Sequence, residues 1–254
     1  MPIERTFEQL RVRIFPDQLS LAASAARDAA AILKKTIQER GEANFMVATG
    51  NAALQFMAAL RQDKSVDWSK ISLFHLDEYK GIAATHPASF RLFIRKNLAD
   101  WVKAKAAYYL EGDAPDTQAE VRRYAELIRT HPIDLCHCGI GENGHLAFND
   151  PPVADFNDPV LVKIVELDRA CRQQQVGEGH FPTMADVPTH ALSVTIPGLL
   201  AAKHVICVVP EKRKATAIYD TLYGPLATSC PASILRRQAN AVLYLDRDSG
   251  GMLL

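Results

Sequence analysis

Short apolar runs alternate with stretches of helical period along nearly the whole chain, and no other feature restricts the fold as much. Leu19, Ala22, Ala26, Ala30, Leu33 and Ile37 recur at three and four residues. That spacing predicts one buried face of a long helix, with Asp17 as its cap and Gly41 as its stop. Phe45 to Ala48 reads as a buried strand, and Thr49-Gly50-Asn51 turns into a helix from Ala52 to about Gln62. Further strands are expected at Ile71 to Leu76, Ile133 to Cys138, Ala191 to Thr195, His204 to Val209 and Ala241 to Leu245. Helices are expected at Pro87 to Leu98, Thr117 to Arg129, from Pro197, and at Lys212 to Tyr223. Such alternation predicts an α/β fold, a mostly parallel sheet covered on both faces. The 254 residues show no repeat or linker, so one domain spanning 1–254 is expected.

Composition narrows the partners. Lys plus Arg and Asp plus Glu both number 29. A chain without net charge offers no basic field, so neither nucleic acid nor an anionic membrane is expected as partner. No apolar run is long enough for a membrane span and no signal core opens the chain, so a cytoplasmic location is expected. Five irregularly spaced cysteines fit reduced thiols better than a disulfide framework. Cys136-His137-Cys138 has one residue between its thiols and no second pair, which argues for buried strand residues rather than a metal site.

Parallel sheets bind ligands outside the carboxyl ends of their strands. Four strand ends carry unusual residues. Thr49-Gly50-Asn51-Ala52-Ala53 opens a helix and suits either an anion or a plain tight turn. Asp77-Glu78 pairs two carboxylates; Asp77 suits a general base, Glu78 points the other way in extended backbone, and a helix or turn cap is the alternative. Gly139 to Pro151 holds Gly141, Glu142, Asn143, Gly144, His145 and Asp150, a glycine-rich loop around a side chain able to move protons near neutral pH. Lys214 stands in a first helical turn, unfavourable to the helix dipole unless an anion is there too; a solvated basic run is the alternative. Together these suggest proton abstraction beside a carbonyl on a small phosphorylated substrate.

Phe-His-Leu-Asp-Glu-Tyr (74–79), His-Pro-Ala-Ser-Phe (86–90) and Gly-Ile-Gly-Glu-Asn-Gly-His-Leu-Ala-Phe-Asn-Asp-Pro (139–151) resemble the glucosamine-6-phosphate deaminases, also called isomerases. The 6-phosphogluconolactonases share the Gly-His loop and the late lysine, but typically carry Asp-Glu-Arg at the first site. The resemblance implies a Rossmann-like three-layer αβα sandwich. It implies conversion of glucosamine 6-phosphate to fructose 6-phosphate and ammonia, without metal or organic cofactor. It implies that His145 helps open the sugar ring, with Asn143 and Asp150 as its partners, and that Asp77 moves a proton from C2 to C1. Thr49, Gly50, Asn51, Ala52 and Lys214 would hold the phosphate, and Glu78, Gly141, Glu142 and Gly144 would surround the substrate. The galacto epimer and a sugar-phosphate lactone are the alternative substrates; a sensor that binds without turnover is a third reading.

This sequence departs from the family pattern in carrying Asn143 for an aspartate and Asp150 for a glutamate. No arginine in an Asn-Ser-Arg setting follows; Arg172 fits an earlier one. Gln173, Gln174 and Gln175 read as surface helix or as substrate contacts. Monomer and homo-oligomer both stay open. Little chain follows the last expected strand, so no activation by an N-acetylated sugar phosphate is expected.

Overall fold

Residues 2–254 are described in a computed structural model. The chain opens with a hairpin that the helical reading passed over, β1 (Ile3–Phe7) and β2 (Leu10–Phe15), paired antiparallel. Leu10, Val12 and Ile14 are buried while Arg11 is exposed, the period of two expected of a half-buried strand. The expected long helix follows as α1 (Gln18–Arg40). The Asp17 carboxylate accepts from Ser20 N, and Gly41 ends the helix at φ +84°, the left-handed conformation that glycine adopts freely. Its buried face is Leu21, Ala22, Ala25, Ala26, Ala29, Ala30, Leu33 and Thr36. Leu19, expected on that face, is 70% exposed because it precedes the first turn that meets the sheet.

Next come β3 (Ala43–Val47), α2 (Asn51–Leu60), β4 (Ile71–His75) and β5 (Asp77–Tyr79). The helix expected from Pro87 begins at Phe90 instead, because the Ser89 side chain caps it. It runs as α3 (Phe90–Ile94), a π-turn (Arg95–Ala99) and α4 (Asp100–Val102). Then follow β6 (Ala106–Ala107), α5 (Thr117–Thr130), β7 (Leu135–Cys138), β8 (Val162–Glu166), α6 (Arg169–Gly177) and β9 (His190–Val194). The chain closes with α7 (Ile196–Leu200), β10 (His204–Val209), a 3-10 turn (Lys212–Lys214), α8 (Ala215–Tyr223) and β11 (Ala241–Asp246).

The main sheet has the order β1-β2-β11-β10-β7-β3-β4-β6. Only the β1–β2 pair is antiparallel. Its residues pack into two apolar layers, one with α1, α2 and α3 and the other with α5, α7 and α8. This is the expected three-layer α/β architecture. A second, three-stranded antiparallel sheet of order β5-β9-β8 stands beside it. The expected strand at Ala191 to Thr195 belongs to this small sheet as β9. The continuous helix expected over Lys212 to Tyr223 is broken at Lys214.

The winding reverses between β3 and β7: from β3 the chain proceeds outward to β4 and β6, from β7 to β10 and β11. The four strands whose ends looked unusual are β10, β7, β3 and β4, and they are consecutive neighbours. The crevice at such a switch point is where open α/β sheets hold ligands.

Leu33 is fully buried against the sheet. Leu33→Ala is expected to cost about 2–5 kcal/mol in chemical denaturation, and Leu19→Ala less than about 0.5 kcal/mol.

Candidate active site

The crevice is lined by Thr49, Gly50, Asn51 and Ala52 from the end of β3, by Asp77 after β4, by Gly141 and His145 after β7, and by Arg213 and Lys214 after β10. One loop from each of four neighbouring strands therefore contributes. The glycine-rich loop is held rigidly. Asn149 Nδ2 donates to Leu146 O at 2.8 Å and to Val194 O at 2.9 Å, and Phe148 N donates to Ser193 Oγ at 3.1 Å. Ser193 is the register partner of Asp77 across β5 and β9. The small sheet thus fixes the loop carrying His145 relative to Asp77.

His145 is oriented through one ring nitrogen. Its Nδ1 lies 2.7 Å from Asn143 Oδ1 and 2.9 Å from Asp150 Oδ1. Both are acceptors, so Nδ1 carries the proton and Nε2 is left to exchange one with a ligand. Asn143 Nδ2 donates to Asp150 Oδ1 at 2.8 Å. Burial opposes ionisation of Asp150, but hydrogen bonds from His145 and Asn143 hold its carboxyl below the usual range. A Cβ on Gly141 would lie 2.2 Å from the imidazole, so only glycine lets the ring occupy this place. Ala147 (φ +49°) and Glu211 (φ +84°) also line the crevice; such backbone strain concentrates at functional sites.

Asp77 is 8% exposed. Burial first, then the charges of Glu78 and Asp150, push its carboxyl well above the usual aspartate range, and no hydrogen bond from a described residue offsets this. A carboxylate so placed is a stronger base than one in water. Lys214 is also buried, and its ammonium makes no hydrogen bond to a described residue. Burial, then the neighbouring Arg213, lowers its pKa. A cation without a hydrogen-bond partner among the described residues, in the same crevice as the opening of α2, is a strong anion attractor.

The structure takes three expected substrate contacts out of the crevice. Glu78, fully buried, is turned the other way by the pleat, as extended backbone requires. Its carboxylate accepts from Ser89 Oγ at 2.8 Å, Arg91 N at 3.0 Å and Phe90 N at 3.1 Å, which caps α3. Gly144, at φ +81°, packs against Cys230, where a Cβ would meet the sulfur at 2.7 Å. Glu142 is exposed and pairs with Arg213 at 3.1 Å. Conversely, α6 brings Gln174 and Gln175 to the crevice, and Glu178 and His180 follow it there. Gln173 is exposed, as a surface reading would have it. Arg172 clamps a loop by donating to Met184 O and Val187 O at 2.6 and 2.8 Å. Arg213 was missed because its charge is locally masked: Nη1 lies 2.6 Å from Glu178 and Nε 2.6 Å from Glu211. Cys136, His137 and Cys138 are buried strand residues, and His137 stacks on Phe56 at 4.0 Å. Burial pushes His137 down to about 3, so it is neutral.

Residues 16–244 match a family profile described as glucosamine-6-phosphate isomerases/6-phosphogluconolactonase. The chain belongs to this family. Within the family, it is 36% identical to a glucosamine-6-phosphate deaminase of Exiguobacterium sibiricum over 82% of this chain and 80% of that one. It is 33% identical to a glucosamine-6-phosphate deaminase of Bacillus cereus over 86% and 81%. A solved monomeric glucosamine-6-phosphate deaminase superposes with a TM-score of 0.87 at 27% identity, covering 95% of this chain and 99% of that chain. The 6-phosphogluconolactonase of Trypanosoma brucei shares the fold, with a TM-score of 0.74 at 15% identity over 99% and 100%. Among the described residues no helix is long and apolar enough to cross a membrane.

Gly141→Ala is expected to displace His145 and lower kcat/KM at least about 100-fold, the scale of a 1 Å misplacement. Circular dichroism should show the fold retained.

Proposed function

We propose that this chain converts glucosamine 6-phosphate and water to fructose 6-phosphate and ammonia, as one catalytic domain spanning the chain. The observation that carries the reading is the meeting of three groups in one crevice: a buried carboxylate of raised pKa, Asp77; an imidazole with one free nitrogen, His145; and a largely buried lysine whose ammonium has no hydrogen-bond partner among the described residues, Lys214. The names of the relatives and the 27% identical structure support the same reading.

Lys214 and the backbone N–H groups opening α2 hold the phosphate, and this anchoring positions the sugar carbons at the other end. His145 Nε2 takes the proton of the C1 hydroxyl and returns it to the ring oxygen, which opens the pyranose. Asn143 and Asp150 keep Nδ1 protonated through that exchange. Asp77 then removes the C2 proton from the open-chain amino aldehyde and, as the carbonyl oxygen takes up a proton from solvent, gives an enolamine. Return of that proton to C1, with loss of one N–H proton to solvent, leaves an imine at C2. Water adds to the imine carbon, the C–N bond breaks, and ammonia leaves. The first stage is an aldose–ketose type isomerisation and the last a hydrolysis. A base whose pKa is raised toward working pH suits the carbon-bound proton, the hardest to remove.

The direct test is ammonia release from glucosamine 6-phosphate, with Asp77→Asn as control. Ammonia together with fructose 6-phosphate is expected, and the variant should bind substrate without turning it over. Activity confined to the galacto epimer, or hydrolysis of a 6-phosphogluconolactone without ammonia release, would overturn the assignment.

Asp77 must be ionised to act, so kcat/KM should fall toward acid with a midpoint above the ordinary aspartate range. The same shift predicts stability. A carboxyl whose pKa is raised by folding favours the fold below its unfolded pKa and loses that contribution as pH rises through the folded value. Asp77→Asn should therefore gain thermal stability over the natural protein as pH rises, and little in acid. Lys214→Ala should raise KM roughly 10- to 100-fold, the value of a charged hydrogen bond, with a smaller effect on binding of a substrate lacking phosphate.

A further inference from the structure

Behind His145 three metal-type donors converge. One ring nitrogen of His145, a carboxylate oxygen of Asp150 and the Sγ of Cys171 all lie within 4.8 Å of one another, and Nδ1 is the nitrogen that faces Asp150, 2.9 Å from its Oδ1. Asp150 and Cys171 are buried. Asp150 Oδ1 is engaged by Asn143 and His145, and the Cys171 thiol is the one further donor beside the carboxyl; among the described residues Oδ2 is buried without a well-formed hydrogen bond. An orphaned carboxylate oxygen is costly and marks a place where positive charge is favoured. Cys171 reaches the cluster from the first turn of α6, the helix that also brings Gln174 and Gln175 to the crevice. Imidazole, carboxylate and thiolate form the mixed set that zinc-class cations take and that calcium and magnesium do not.

We propose that His145, Asp150 and Cys171 form an inhibitory site for a divalent cation of the zinc class. Bonds of roughly 2.0–2.3 Å set tetrahedral donors roughly 3.3–3.8 Å apart. The 2.9 Å contact between Nδ1 and Asp150 Oδ1 must therefore open as the ion enters. Asn143 Oδ1, 2.7 Å from Nδ1, is placed to complete the set. Binding releases one proton to solvent, from the thiol, and shifts the single ring proton of His145 from Nδ1 to Nε2, with no change of oxidation state. That proton then resides on Nε2, facing the crevice. There it can donate a hydrogen bond but cannot accept a proton, so ring opening stops. This inhibitory consequence rests on the deaminase reading; occupancy of the site does not.

Chelator-treated protein is titrated with Co2+. The expected result is a thiolate-to-Co2+ charge-transfer absorption that saturates at one ion per chain and is absent in Cys171→Ser. Zn2+ should inhibit ammonia release, EDTA should restore it, and Cys171→Ser should require at least about tenfold more Zn2+ for the same inhibition. Absence of the absorption in the natural protein would overturn the proposal. So would its persistence in Cys171→Ser, which would place the ion on another cysteine, or unchanged Zn2+ sensitivity of that variant. Cys171→Ala serves where the serine variant does not fold. A protein without deaminase activity that still shows the Cys171-dependent absorption would retain the site and lose only its inhibitory role.

Discussion

The carboxylate of Asp77 sits at a strand end with Glu78 beside it and Asp150 near, and much of the surrounding structure answers that repulsion. Glu78 is turned to the opposite face by the pleat and neutralised there by α3: two backbone N–H groups, the Ser89 hydroxyl and Arg91, whose Nε lies 3.5 Å away. Asp150 is held by His145 and Asn143. Of these three carboxylates, Asp77 is the one with no donor among the described residues. Its charge is therefore expensive in the free protein, and that cost is what makes it a base. Stabilising the site by supplying a donor would weaken the same property.

The placement of these groups depends on topology more than on local sequence. The reversal of winding between β3 and β7 opens the crevice. The small sheet then sets the distance between the two proton-transfer groups, because β5 carries Asp77 and its partner β9 carries the Ser193 hydroxyl that fixes the histidine loop. Phosphate groups and proton-transfer groups thus sit on different strand ends, and a substrate must span them.

The parallel sheet was legible because buried parallel strands are continuous apolar runs, and those runs are plain at Phe45, Ile71, Ile133 and His204. The small sheet was not, because β5 has only three residues and β8, Val-Lys-Ile-Val-Glu, competes with a helical reading. The β1–β2 hairpin was legible in principle: Leu10, Val12 and Ile14 alternate with Arg11 and Arg13. At the site, Asp77, His145 and Lys214 were readable because each is anomalous where it stands. Glu78 misled because a helix cap supplied from another element leaves no mark near the carboxylate. Arg213, Glu178 and His180 were missed for the opposite reason: they satisfy one another, so none looks out of place in sequence.

Asn143, where the family pattern has aspartate, follows from the same charge balance. The residue makes two hydrogen bonds here: its Oδ1 accepts from His145, and its Nδ2 donates to Asp150 Oδ1. An aspartate at this position could accept from His145 but could not donate to Asp150, so two carboxylates would face each other across the ring nitrogen. It would also add negative charge to a site in which Asp150 already raises the pKa of Asp77. Asparagine keeps the orientation of the imidazole and the single charge behind it. It thereby limits how far Asp77 is driven toward the protonated form, and a base is useful only while it stays ionised at working pH.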